Sequence, residues 1–458
     1  CGFEKYLITG VEADLKELLA LMRPEAHNYE ELALDYASAG CWEEALMAAE
    51  TAIGQNVSGQ TMLHYYKSWF LIQLDRKEEA LAAIREAEQQ LPDCCFPNVL
   101  EAILALQSVI GFATETPKAL YYLGNLWYDK RQYPEAITCW ETSMQQDDTF
   151  PTVLRNLSLA YFNKLNRQEE AVTLLEKAFA LDMTDARILM ELDQLYKRLN
   201  CSHEDRLAFL EKHKDIAFQR DDLYLEYVTL LNQLGQYEEA IRMIDARKFH
   251  PWEGGEGKVP AQYQLARVEL VKQLLAEKKY EEALALIEEC FIYPHNLGEG
   301  KLYGAQENDF NYYKACALSG LGRKEEATEL FLAASIGNSQ PAAAMYYNDQ
   351  KPDKIFYQGL ALRKLEREEE ARGRFNNLIS YGEKHLYDVF KMDYFAVSLP
   401  DLQIWEDDMN KKNRIHCNYL MALGHLGLGN NEKAMKYFDI AAEMDNNHQG
   451  VQIHQKMI

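Results

Sequence analysis

The chain has 458 residues, 48% of them hydrophobic, which is too apolar for a disordered polymer and too long for one ordinary core. Its charge, 48 − 72 = −24, excludes the basic track of a nucleic-acid binder and any attraction to anionic membrane surfaces. No apolar run is long enough to span a membrane, and nine cysteines with no C-x-x-C pattern read as reduced thiols of a cytoplasmic protein with a soluble, acidic, bacterial-type surface.

The opening Cys1-Gly-Phe-Glu4 has neither an initiator Met nor the layout of a signal peptide, so a piece of a longer protein is expected. From there one phrase recurs, a turn residue followed shortly by an acidic pair and Ala. It occurs as Gly40-Cys-Trp-Glu-Glu-Ala45, Asp75-Arg-Lys-Glu-Glu-Ala80, Asn166-Arg-Gln-Glu-Glu-Ala171 and Gly235-Gln-Tyr-Glu-Glu-Ala240. Variants end at Ala136, Ala283, Ala327, Ala371 and Ala434. A turn residue able to adopt the left-handed conformation ends one helix, A. Acidic residues then favour the first turn of the next helix, B. The Ala, with Gly124, Ala315, Gly359 or Ala422 on helix A, lets the pair approach closely, and a large residue four positions on (Ile84, Trp140, Leu175, Phe375, Phe438) fills the crossing. The phrase resembles the tetratricopeptide repeat, which implies an all-α solenoid of helix pairs.

Spacing divides the chain. Ala45 to Ala80 and Ala136 to Ala171 are 35 residues apart, and a divergent copy over 185–214 has Leu207 in the Ala position. The 56-residue step from Ala80 to Ala136 predicts an extra helix within 97–112. Ala240, Ala283, Ala327 and Ala371 are then 43, 44 and 44 apart, and Ala434 follows after 63. Two regions are expected, 1–220 with ordinary repeats and 221–458 with loops inserted at 249–260, 292–305, 337–351 and 381–411. All four fall between a helix B and the next helix A, so in a solenoid they should line up on one edge as one surface.

That surface collects the candidate binding residues. The first loop offers His250, Trp252, Glu253, Glu256 and Lys258, and the second offers His295, Asn296, Glu299 and Lys301, followed by Glu307 and Asn308. The third offers Asn348, Asp349 and Gln350. Aromatic rings with carboxylates, amides and His suit a hydroxyl-rich ligand. The same residues also suit capping helices and locking repeats together. A second candidate is the groove lined by helix A, with Tyr65, Trp69, Tyr121, Asn125, Tyr128 and Asn156. It lacks the Lys and Arg of a carboxylate-gripping groove. No metal site, cofactor, nucleophile triad or phosphate loop is expected: His spacings are wide, and Gly254-Gly-Glu-Gly257 lacks the Lys-Ser/Thr of a P-loop. Glu253 and Glu299 could pair as glycosidase carboxylates only if the loops converge.

The phrases His250-Pro-Trp-Glu-Gly-Gly-Glu-Gly-Lys258, Asn296-Leu-Gly-Glu-Gly-Lys301, Gln306-Glu-Asn-Asp309, Ile355-Phe-Tyr-Gln-Gly-Leu-Ala361 and Arg414-Ile-His-Cys417 add a second resemblance. They resemble the tetratricopeptide C-terminal region of large bacterial proteins that carry an N-terminal domain of unknown function. That resemblance implies a carbohydrate-related setting. The expected function is a non-catalytic scaffold docking a partner protein or its own N-terminal domain. The alternative is a glycan-binding loop surface contributing to a carbohydrate-active site of the full-length protein.

Overall fold

The structure, a computed structural model, describes residues 2–92, 95–343, 349–390 and 404–458. Its described residues form helices, and their contacts divide the chain between Asp182 and Met183 into two units. Unit 1 contains α1 (Gly2–Thr9), α2 (Glu12–Met22), α3 (Ala26–Ser38), α4 (Trp42–Gly54), α5 (Thr61–Gln73), α6 (Lys77–Gln89), α7 (Leu100–Phe112), α8 (Pro117–Asp129), α9 (Tyr133–Gln146), α10 (Pro151–Leu165) and α11 (Gln168–Leu181). Unit 2 contains α12 (Ala186–Arg198), α13 (His203–Lys212), α14 (Lys214–Ala217), α15 (Asp221–Gln233), α16 (Tyr237–Ala246), α17 (Lys258–Ala276) and α18 (Tyr280–Glu289). It continues with α19 (Asn308–Gly320), α20 (Lys324–Ser335), α21 (Pro352–Lys364), α22 (Glu368–His385), α23 (Met409–Gly427), α24 (Asn431–Met444) and α25 (Gln449–Gln455).

The helix pairs arise as the repeated phrase predicts. At each A-to-B turn one residue has positive φ: Gly40, Asp75, Arg131, Asn166, Asn200, Gly235, Lys278, Gly322, Glu366 and Gly429. The next backbone N–H reaches back to close helix A, as in Cys41 to the Tyr36 carbonyl (2.9 Å) and Arg367 to the Leu362 carbonyl (2.9 Å). This is the Schellman closure, in which a left-handed residue lets orphan carbonyls be satisfied. The repeat alanines Ala45, Ala80, Ala136, Ala171, Ala240, Ala283, Ala371 and Ala434 have no exposed surface. At the crossings the approach is too close for a side chain: a Cβ on Gly124 would lie 2.4 Å from the Trp140 ring, and one on Gly359 would lie 2.4 Å from Phe375. Each buried ring then contributes about 1.5–3 kcal/mol through area removed from water. Helix α7 is the extra helix predicted within 97–112, and it packs between α5 and α8.

The division falls earlier than the expected 220/221 step. Regular spacing grouped α12 and α13 with the preceding repeats, but their partners lie at the other end of unit 2. Arg206, with no exposed surface, forks onto Asp193 (3.1 and 2.8 Å), reaches Glu226 (2.7 Å) and donates to the Asn447 side-chain carbonyl (2.8 Å). Asn447 donates to the Lys197 carbonyl (3.0 Å), and Gln233 donates to the Asn447 carbonyl (3.0 Å). The indole N–H of fully buried Trp405 donates to the Glu191 carbonyl (3.1 Å). Unit 2 therefore closes its C-terminal end onto its first helices.

Between the helices of unit 2 the described connecting residues are 247–257, 290–307, 336–343 with 349–351, and 386–390 with 404–408, which moves three expected boundaries. Lys258–Pro260 belong to α17: the first amides of a helix have no intrahelical partner, so Pro260 loses nothing there. Helix α22 runs on to His385, where the Tyr381 and His385 rings lie 4.3 Å apart and Asn413 donates to the His385 carbonyl (2.8 Å). Residues 409–411 open α23 in turn, because the Asp408 carboxylate caps the Asn410 and Lys411 amides.

Candidate functional site

The A helices of unit 2 and its closing helix meet around a cavity of about 470 Å³. Its walls come from α17, α19, α21, α23 and α25, with Leu265, Val268, Phe310, Ile415 and Ile453 giving it apolar surface. Lys354, in the first turn of α21, is 7% exposed. Its ammonium meets Asp309 Oδ1 at 2.5 Å and Asp353 Oδ2 at 3.7 Å, and sits 4.8 Å from the centre of the Phe310 ring. Burial opposes the charge, but the two carboxylates outweigh it and hold Lys354 above the ordinary lysine value. Burial likewise pushes Asp353 up, and Lys354, His454 and Lys351 pull it below the ordinary carboxylate value. Beside them the Tyr313 and Tyr357 hydroxyls lie 2.9 Å apart.

Two histidines of the closing segment complete the cavity, and their tautomers follow from their neighbours. His454 is 1% exposed, and its Nδ1 lies 2.7 Å from the Gly450 carbonyl and 3.1 Å from the Tyr419 hydroxyl. A carbonyl only accepts, so Nδ1 carries the proton and Nε2 presents a lone pair. That buried Nε2 has no hydrogen-bond partner. Burial lowers the ring's pKa to about 4. His448 has the opposite tautomer, because its Nδ1 accepts from the Val451 amide (3.1 Å) at the start of α25. Glu269, 5% exposed, is paired with Lys272 (2.8 Å).

The expected loop residues form a different feature. The first two loops lie against each other: the Phe249 amide donates to the Asn296 carbonyl (2.8 Å), and the Gly257 amide to Glu299 (2.8 Å). His250, Trp252, Glu253, Glu256 and Glu299 line a hollow of about 270 Å³. A Cβ on Gly255 would lie 2.3 Å from the Trp252 ring, so only glycine fits beneath it. His250 pairs with Asp221 (3.2 Å), His295 is exposed in a short 3-10 turn, and Lys258 is exposed on α17. Asn296 and Asn308 cap helices. Asn296 donates to the Ile244 and Arg247 carbonyls (3.0 Å each), and Asn308 to the Ala334 and Ile336 carbonyls (2.8 Å each). Lys301 pairs with Glu307 outside this hollow. Gln306 joins the second loop to the third, through the Asp349 carbonyl (3.4 Å) and the Lys351 amide (3.2 Å), and Gln350 contacts the Lys351 carbonyl (3.5 Å). Asn348 lies outside the described residues. The described part of the fourth connection turns instead to α12, where Arg198 holds the Trp405 carbonyl and Asp407 (3.0 Å each).

In unit 1 the groove aromatics fill the packing between helices rather than an open channel. Tyr65 has no exposed surface and donates to Glu88 (3.0 Å), Trp69 packs edge-on to Trp42, and Tyr121 edge-on to Phe150. Tyr128 leans on Trp140, and Asn156 donates to Asn125 Oδ1 (3.0 Å) across successive A helices.

Sequence reasoning did not select Asp353, Lys354, His448 or His454, although a signal existed. Asp309 and Asp353, and Tyr313 and Tyr357, are each one 44-residue repeat apart and so occupy equal register. Among the described residues no group of three or more His, Cys, Asp or Glu side chains could hold a metal ion, and no helix is long and apolar enough to cross a membrane.

No protein-family profile matches the chain. Among solved structures it is similar to the tetratricopeptide protein YrrB, at 13% identity, over 50% of this chain and 90% of that one, with TM-score 0.28. It is similar to a tetratricopeptide repeat protein from Parabacteroides merdae, at 15% identity, over 66% and 98%, with TM-score 0.28. A third is the P58(IPK) tetratricopeptide domain, at 13% identity, over 94% and 96%, with TM-score 0.23.

Proposed function

We propose that the chain is a non-catalytic interaction scaffold that docks a partner protein, or a domain preceding residue 1 in a longer chain, on the A-helix side of unit 2. The observation that carries this reading is the cavity of about 470 Å³ with its polar groups already oriented. Pre-oriented groups in a preformed cavity keep the ordering cost of binding low. The resemblance of 235–455 to the tail of large bacterial proteins agrees with a docking role. The test is panning of displayed random peptides on the intact chain, with Ile453→Arg as the counter-screen. Enriched peptides that lose binding to Ile453→Arg support the reading. Enrichment indifferent to that substitution contradicts it.

A second reading, glycan binding at the loops, rests on the hollow shared by Trp252, Glu253, Glu256 and Glu299. A glycan array with wild type and Trp252→Ala tests it, and equal signals from both proteins would remove it.

A further inference from the structure

Resting on the scaffold reading, we propose that the unit 2 cavity receives a cationic side chain, an ammonium or guanidinium carried by the docked segment. His454 Nε2 is a buried acceptor on a residue of the cavity wall, with no internal donor to meet it. Such a group is costly to leave unmatched. Asp353, on the same wall, makes no hydrogen bond to another side chain among the described residues, and its one ion pair is the 3.7 Å contact with Lys354. Lys354 is committed to Asp309 at 2.5 Å, which leaves Asp353 without a close cationic partner.

Lys351 also lines the cavity and faces Asp353, which balances that pair of carboxylates, and Asp445 on the same lining, with no ion pair among the described residues, leaves the lining negative. Glu269 is neutralised by Lys272 at 2.8 Å, and the rim lysine Lys412 is held by Asp407 at 2.5 Å. An anionic ligand would meet a carboxylate and a lone pair, both repulsive to it. A cationic side chain gives each of them a charge-assisted donor. Leu265, Val268 and Ile453 supply apolar wall for its methylene stem. The chain's net charge of −24 draws such a segment in.

Calorimetry on the intact chain tests this with Nα-acetyl-lysine methylamide and Nα-acetyl-arginine methylamide against the norleucine and glutamate counterparts. The cationic probes bind and the other two do not. Asp353→Asn weakens them about tenfold, the scale of one lost charge-assisted hydrogen bond. Leu265→Lys, which offers the cavity a cation of its own, abolishes binding. Equal binding of the norleucine probe, preference for the glutamate probe, absence of binding by both cationic probes, or wild-type affinity in Asp353→Asn would each overturn the proposal. If panned peptides still dock at Ile453 while carrying no Lys or Arg, the scaffold reading stands and this one falls.

Discussion

The two units use one repeat for different ends. In unit 1 short turns join α4 to α5, α7 to α8 and α9 to α10, and the aromatic residues of the A helices, such as Tyr65 and Tyr122, pack into one another. In unit 2 each longer connection bonds to a neighbouring one or to a distant helix, and the C-terminal end folds back on α12, α13 and α15. Stacked repeats alone bury their polar groups poorly, since each touches only its neighbours. Closure adds contacts between residues more than two hundred positions apart, and it encloses the Asp309–Lys354–His454 cluster. The C-terminal fold-back thus converts a one-dimensional stack into a unit with an interior that holds charge.

The strongest way to break this contrast is Trp405→Ala. The indole is fully buried against α12, so its loss costs unit 2 about 3–5 kcal/mol. Native-state hydrogen exchange should show protection falling across 183–458 and holding across 1–182. Loss spread equally over both units would contradict the contrast.

Acid gives the next effect. His454 is held neutral in the folded state, with its pKa lowered from 6.5 to about 4 by burial. The unfolded chain therefore binds a proton the folded chain refuses. The stabilisation is complete above pH 6.5 and is lost as pH falls from there toward 4, roughly 3 kcal/mol in all. Denaturant melts over that window should steepen for wild type and flatten for His454→Phe. An unchanged pH slope in the variant would remove the assignment.

A smaller effect sharpens the other side. Gly124→Ala forces a methyl group into the Trp140 ring and should cost unit 1 about 1–3 kcal/mol. Exchange should quicken in α8–α11 and stay unchanged over 258–455.

The repeat was legible because its turn and its alanine are local devices: a left-handed residue and a missing side chain leave the same mark in every copy. The longer repeat step of 43 and 44 residues was legible in the sequence, and His250, Trp252, Glu253 and Glu256 lie with Glu299 around one hollow. The closure was not legible. Arg206 and Asn447 are 241 positions apart, and both look in sequence like ordinary surface residues. His454 gave no sign either, because its burial comes from α25 folding back rather than from any period. Asp353 and Lys354 could have been found, since the 44-residue step sets Asp353 in register with Asp309.

Hydrogen exchange of the intact chain with and without a panned peptide tests the central claim most directly. Binding on the A-helix side should slow exchange at 261–269, 309–313, 352–357 and 448–454. Slowing confined to 250–257 and 295–301, with those helices unchanged, would contradict it and place the ligand on the loops.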